Sequence, residues 1–158
     1  MLTYFKRYRM RYDVQHLREF DLSLPPQTQM LAWRDDLLRS HARVKHEAFR
    51  QELDATVFPC LAQADGCLKL MNDIRTRSNF IPEATLLATT VCSTTGISTP
   101  IGTIQGMRSD EFDGSIQNIG VIPEMRGKGF GRFLLTHALH GFSIVGCKRV
   151  FLEVTTYN

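Results

Sequence analysis

A mixed α/β fold around one core is expected from three features of the sequence. Strand-like segments, alternating or rich in Thr, Leu and Val, occur at residues 4–14, 84–92, 100–108, 115–122 and 149–156. Residues 15–78 and 131–145 instead carry apolar residues at close to the 3.6-residue helical period. At 119–132 an apolar strand runs through Pro123 into a loop holding Gly127, Gly129 and Gly131, and then into an amphipathic helix. The order is strand, helices, three strands, helix, strand. A chain of 158 residues fits one domain with a single core.

Each element has its own warrant. In residues 4–14, Tyr4, Tyr8, Met10 and Tyr12 share one face with Lys6, and Phe5, Arg7, Arg9 and Arg11 share the other. That basic face is either a patch for RNA or cofactor phosphates, or a solvated face whose charge protects a sheet edge. Residues 15–20 have room for one short helix. Leu24-Pro25-Pro26 ends it, and Pro26 suits the first turn of the next. From Gln27 to about Glu52, apolar residues recur at Met30, Leu31, Trp33, Leu37, Leu38, Val44, Ala48 and Phe49. This spacing predicts a helix with a bend between Ser40 and Lys45, where the stripe thins. Residues 54–59 read as a connection. Asp65 is placed to cap a further helix carrying Cys67, Leu68, Leu70, Met71 and Ile74.

The second half turns to strands. Residues 84–92 and 100–108 pair as a hairpin across a turn-rich link. A polar loop leads to the strand at 115–122, where Gly120 marks a bulge or a close backbone approach. The helix at 131–145 buries Phe130, Leu134, Leu135, Ala138, Leu139 and Phe142. Gly141 inside it costs about 1 kcal/mol against Ala, and Gly146 suits the residue just past its end. The strand at 149–156 sets Val150, Leu152 and Val154 on one face, with Phe151, Glu153 and Thr155 on the other.

The glycine loop carries the strongest chemical signal. Glycine lets backbone N–H groups approach a ligand and takes positive φ at little cost. A helix N-terminus adds unpaired donors and partial positive charge. With Arg126, Lys128 and Arg132, the stretch is an anion site suited to phosphate or pyrophosphate. It is not a P-loop, because Lys128 is followed by Gly129 rather than a hydroxyl residue. It is not the dinucleotide fingerprint either. The third glycine of that pattern falls on Arg132 or Leu134.

Val121-Ile122-Pro123 followed by Arg126-x-x-Gly129-x-Gly131 resembles the acetyl-CoA-binding motif of the GNAT acetyltransferase family. That motif reads Gln/Arg-x-x-Gly-x-Gly/Ala after a strand ending Val-x-Pro. The resemblance covers most of the chain in element order and is motif-specific over residues 115–158. It implies a mixed, mostly antiparallel sheet flanked by helices, with a longer helical section after the first strand than the family usually has. It implies acetyl-CoA as co-substrate, held by Ile119, Gly120, Val121, Arg126, Gly127, Lys128, Gly129, Phe130, Gly131 and Arg132. Asn158 matches a family Asn that contacts the cofactor arm. The arm lies between two strands that splay apart, here expected at 115–122 and 149–156. The family continues past the position of Asn158 with another helix and two strands. The domain is therefore expected to be C-terminally incomplete, lacking the usual proton-donating Tyr. The last strand is expected to have a free edge, which another chain, such as a second copy in a homodimer, could cover.

Acyl transfer from a thioester needs a held donor, a neutral amine and donors for the developing oxyanion. By motif match, backbone N–H groups at Ile119, Gly120 and Val121 supply the last. A lysine-like amine costs roughly 4–5 kcal/mol to deprotonate at neutral pH. Glu153 is the candidate carboxylate for that step, directly or through water. It stands in Leu152-Glu153-Val154, which resembles some ribosomal-protein acetyltransferases of the family. The competing reading is a glutamate satisfied by a cross-strand Lys or Arg.

The resemblance thus implies an acetyl-CoA-dependent N-acetyltransferase acting on a primary amine of a small molecule or peptide. Two alternatives stand beside it: a non-catalytic CoA- or acyl-CoA-binding regulatory module, and a nucleic-acid-binding domain using the basic N-terminal strand. A net charge of +3 permits anionic ligands without demanding nucleic acid. Cys60, Cys67, Cys92 and Cys147 lack metal or redox spacing. His46-Glu47 begins a zinc-protease pattern that fails at Arg50. No metal is expected, and His41 and His46 read as surface or packing residues. With no signal peptide and no run of about 18 apolar residues, a cytoplasmic protein with reduced thiols is expected.

Overall fold

The computed structural model describes residues 4–16 and 19–156. Six strands form one sheet: β1 (Lys6–Asp13), β2 (Thr28–Ala32), β3 (Phe80–Val91), β4 (Ser98–Arg108), β5 (Asp113–Val121) and β6 (Arg149–Thr156). Their order across the sheet is β1-β6-β5-β4-β3-β2. All neighbours are antiparallel except β5 and β6, which run parallel. Helices α1 (Leu38–Phe49), α2 (Leu53–Val57) and α3 (Ala64–Arg75) precede β3, and α4 (Phe130–Ile144) joins β5 to β6. The expected mixed, mostly antiparallel sheet flanked by helices is the observed one.

The two sheet faces are covered by different helices. On one, α4 packs over the apolar faces of β3, β4 and β5 through Leu134, Ala138 and Phe142. Gly141 is required there, since a Cβ would overlap the Glu83 carbonyl of β3. The helix accepts the cost of glycine to lie close to the sheet. On the other face, α1 and α3 share a smaller cluster of Ala42, Leu61, Cys67 and Met71.

Four local expectations are corrected. The helix expected from Gln27 does not begin there. Gln27 takes φ 60° after the two prolines, and Thr28–Ala32 pairs antiparallel with β3 as an edge strand. The apolar spacing at Met30, Leu31 and Trp33 fitted a helix, but tertiary pairing decided the outcome. The predicted bend between Ser40 and Lys45 is absent, and α1 runs unbroken from Leu38 to Phe49. The break falls earlier, before α1. Asp65 lies inside the first turn of α3, whose N-cap is Gln63 and carries no side-chain cap bond. The short helix expected at 15–20 is a single 3-10 turn, Val14–His16, as far as the described residues go.

The free edge expected beside the last strand is also corrected. β1 pairs with β6 along its whole length, from Lys6↔Thr156 to Asp13↔Arg149. The chain's own N-terminal strand therefore covers the far side of β6, and β2 takes the place beside β3.

Candidate active site

β5 ends at Val121, and one 3-10 turn, Pro123–Met125, leads into the glycine loop. Gly127 and Gly129 take φ of 72° and 87°, left-handed conformations that only glycine adopts at little cost. α4 starts without a side-chain cap, and Phe133 N–H bonds the Gly129 carbonyl at 3.1 Å. The N–H groups of Phe130, Gly131 and Arg132 precede that bond and have no carbonyl of the helix to meet. A Cβ built at Gly127 or Gly131 would meet nothing within 4 Å, so the space over the turn is open. Lys128 and Arg132 stand exposed around it. Phe130 contributes only backbone, since its ring is buried in the core.

Arg126 has another task. Its Nε donates to the Val121 carbonyl at 3.0 Å, one terminal nitrogen to Glu52 at 2.6 Å, and the other to the Ala48 carbonyl at 2.7 Å. It therefore ties the glycine loop to the end of β5 and to the C-terminal turn of α1. Glu52 offsets its charge, leaving Lys128 and Arg132 as the loop's unpaired cations among the described residues.

Beside the loop the sheet opens. β5 and β6 pair only from Asp113↔Arg149 to Ile116↔Leu152. Beyond that the strands part, and the β5 edge from Gln117 to Val121 borders the gap, with alternate backbone groups turned toward it. On its other side β5 carries a bulge, because Gln105 pairs with Asn118 while Gly106 pairs with Ile116. Gln117 is the extra residue. Gly120, for which a bulge or a close approach was expected, is the close approach. A Cβ there would lie 2.8 Å from Phe49 Cε2 and 2.9 Å from Ala48 Cβ of α1.

The gap opens into a cleft of about 580 Å³ lined by Ile119, Phe49, Phe58, Leu61, Phe151 and Glu153, among others. Arg7 and Arg9 of β1 also line it, so the basic face of that strand borders the cleft. Glu153 pairs with Arg7 at 2.8 Å, with side chains 50% and 38% exposed. The cross-strand arginine partner foreseen for Glu153 is thus present. Asn158 lies outside the described residues.

Beneath the bulge is a buried polar group that sequence reasoning missed. Lys45 of α1 is fully buried and donates to Asn118 Oδ1 at 2.7 Å. Burial pushes its ammonium down from 10.5 to about 7. One turn earlier His41, also fully buried, shares a 2.8 Å hydrogen bond between Nδ1 and Thr103 Oγ1. Gln105 donates to the same hydroxyl at 2.6 Å. Burial and the nearby Lys45 charge push His41 down to about 3, so it is neutral. The available signal was spacing. His41 and Lys45 lie four apart, on the stripe of Val44 and Ala48.

The arrangement fits an acyl-CoA: an uncapped helix N-terminus with open glycines for phosphates, beside a gap between strands for an extended arm. The family model of the acetyltransferase (GNAT) family matches residues 32–158. The chain belongs to the GNAT family. Acetyl transfer is that family's general chemistry, and solved GNAT structures share this fold. A GCN5-related N-acetyltransferase from Sphaerobacter thermophilus superposes with TM-score 0.71 at 19% identity, covering 98% of this chain and 45% of that one. A GNAT family acetyltransferase from Brucella melitensis, in complex with acetyl-CoA, gives 0.59 at 15% identity over 79% of this chain and 74% of its own. One from Staphylococcus aureus gives 0.57 at 14%, over 84% and 88%. The chain spans about half the length of the Sphaerobacter protein. No curated protein matches the chain. Among the described residues, no group of three or more His, Cys, Asp and Glu side chains could hold a metal, and no helix is long and apolar enough to cross a membrane.

Proposed function

We propose that this GNAT domain is an acetyl-CoA-dependent N-acetyltransferase that moves an acetyl group to a primary amine held in the cleft. The observation that carries the reading is the uncapped N-terminus of α4, opening beside the gap where β5 and β6 part. Backbone N–H groups at Phe130, Gly131 and Arg132, with Lys128 and Arg132, would hold the diphosphate. Backbone of Ile119, Gly120 and Val121 would hold the pantetheine arm and meet the acetyl carbonyl. The thioester supplies the activated acetyl group.

The chain's own residues do the rest. The bulge at Gln117 re-aims the β5 backbone toward the gap, and Lys45 beneath holds Asn118 in place. Glu153 takes the proton of the incoming amine, directly or through one water. Its pair with Arg7 is half-exposed and worth about 1 kcal/mol at most. Loosening that pair when Glu153 takes the proton therefore costs little. That same pair favours the alternative of a non-catalytic CoA-binding module, in which Glu153 is only a structural partner. Thiol release separates the two. Purified chain with acetyl-CoA and a panel of primary amines releases free thiol under the enzyme reading. Acetyl-CoA binding without thiol release for any amine would overturn it in favour of the module.

A further inference from the structure

We propose that the cleft is built for an amino acid, an amine carrying a carboxylate a few bonds away, with Arg9 as partner of the carboxylate and Asp54 as partner of the ammonium. The inference rests on the acetyl-transfer reading above and names its acceptor class. It starts from β1. The register Arg9↔Glu153 places the arginines of β1 on the cleft side of the sheet, beside Phe151 and Glu153.

The two arginines differ in what they have left to bind. Arg7 is answered by Glu153 at 2.8 Å. Arg9 lies over the Phe151 ring, its guanidinium carbon 4.1 Å from the centroid, and has no carboxylate partner among the described residues. Stacking covers one face of the guanidinium and leaves its N–H edges for a planar anion in the same plane. A carboxylate matches that fork.

Asp54, in the first turn of α2, lines the same cleft and is half-buried. Its carboxylate has no ion pair or side-chain hydrogen bond among the described residues. The cleft therefore holds one matched pair, Arg7 with Glu153, and one unmatched charge of each sign. A polyamine answers Asp54 but sets a second cation against Arg9. A simple acid does the reverse. An amino acid answers both, and the walls of Phe49, Leu61, Leu70 and Ile74 leave room for an apolar side chain.

The test uses matched pairs of acceptors that differ only in the carboxylate: phenylalanine against 2-phenylethylamine, and leucine against isoamylamine. With acetyl-CoA, the wild-type chain should favour the amino acid by roughly ten- to a hundred-fold in kcat/KM for thiol release, the range of one charge-assisted pair. Arg9→Met keeps an apolar stem over Phe151 and should bring the ratio to about one. Asp54→Asn should weaken both members of each pair alike. Binding is read separately by calorimetry without acetyl-CoA, where the amino acid binds wild type and not Arg9→Met. An unmodified thermal midpoint in Arg9→Met shows that the variant is folded. Equal kcat/KM within each pair, or a preference that survives Arg9→Met, overturns the inference while leaving acetyl transfer standing. Amino-acid binding that depends on Arg9, without thiol release from any amine, supports the anion site and overturns the enzyme reading instead.

Discussion

Replacing Lys45 with Met gives a sharp test of the buried polar group under β5. Lys45 has no exposed surface, and its Nζ meets Asn118 Oδ1 at 2.7 Å. Burial lowers its pKa from 10.5 to about 7. The folded value lies below the unfolded one, so between those pH values the unfolded chain binds the extra proton. Stability from this group therefore rises with pH across that window and is lowest below about pH 7. At 1.36 kcal/mol per pH unit, the whole window is worth about 5 kcal/mol. The part between about pH 7 and pH 8.5 is worth about 1–2 kcal/mol. Met has similar length and no charge. It leaves the Asn118 oxygen without this donor, at about 1–3 kcal/mol, and removes a larger penalty at neutral pH. Urea unfolding across this range should show the wild type gaining about 1–2 kcal/mol relative to Lys45→Met as pH rises. Burial raises the Cys67 thiol above its ordinary 9.0 while the Lys45 charge lowers it in part; the folded thiol stays protonated in both proteins below about pH 8.5, so it does not enter the difference in this window. Parallel pH profiles, agreeing within about 0.5 kcal/mol, would show that Lys45 keeps an ordinary hydrated ammonium and refute the reasoning.

Other substitutions probe the loop, the strand and the carboxylate. Arg126→Met removes bonds to Val121, Glu52 and Ala48; the partly exposed site should cost about 1–2 kcal/mol in urea unfolding, and acetyl-CoA affinity should fall with the loop's support. Gly120→Ala forces a methyl within 2.8 Å of Phe49 and 2.9 Å of Ala48; overpacking of this kind costs about 1–3 kcal/mol, read as a lower thermal midpoint. Glu153→Gln should lower kcat about a hundred-fold if Glu153 takes the amine's proton, with stability changed by less than about 1 kcal/mol; a kcat within twofold leaves it as Arg7's partner only. Acidification should destabilise the fold through His41, whose folded pKa of about 3 lies below 6.5; its contribution is lost as pH falls through that window, and His41→Phe should flatten the slope.

What could be read from the sequence was local. The glycine loop announced itself because φ values of 72° and 87° at Gly127 and Gly129 demand glycine whatever the rest of the chain does. The strand at Arg149–Thr156 was readable to the residue because Val150, Phe151, Val154, Thr155 and Thr156 all favour extended backbone. The strand at Thr28–Ala32 was not. Its apolar spacing fits either period, and only pairing with β3 distinguishes them. Nor could periodicity place β1 beside β6, since that pairing joins opposite ends of the chain. Of the candidate site, the open glycine turn before α4 was legible and the cleft was not. Arg9 reaches the cleft by strand order, Asp54 by the packing of a short helix, and Lys45 by the burial of one helix face. Lys45 and His41 alone left a trace, as polar residues on an apolar stripe. Arg126 shows the opposite limit. Its place in the motif suggested charge for a ligand, and the fold spends its side chain on holding the loop.

Under the proposed function, the glycine turn and the parted strands hold acetyl-CoA. Calorimetric titration of acetyl-CoA into the wild-type chain and Gly129→Val tests it most directly. Valine at φ 87° is strained by about 1–2 kcal/mol, and its branched side chain displaces the turn whose N–H groups make the cradle. Wild type should bind at one site near micromolar strength, and binding should be lost in a Gly129→Val chain whose circular dichroism still shows the folded sheet and helices. Equal affinity in both proteins, or no heat from folded wild type, would contradict it.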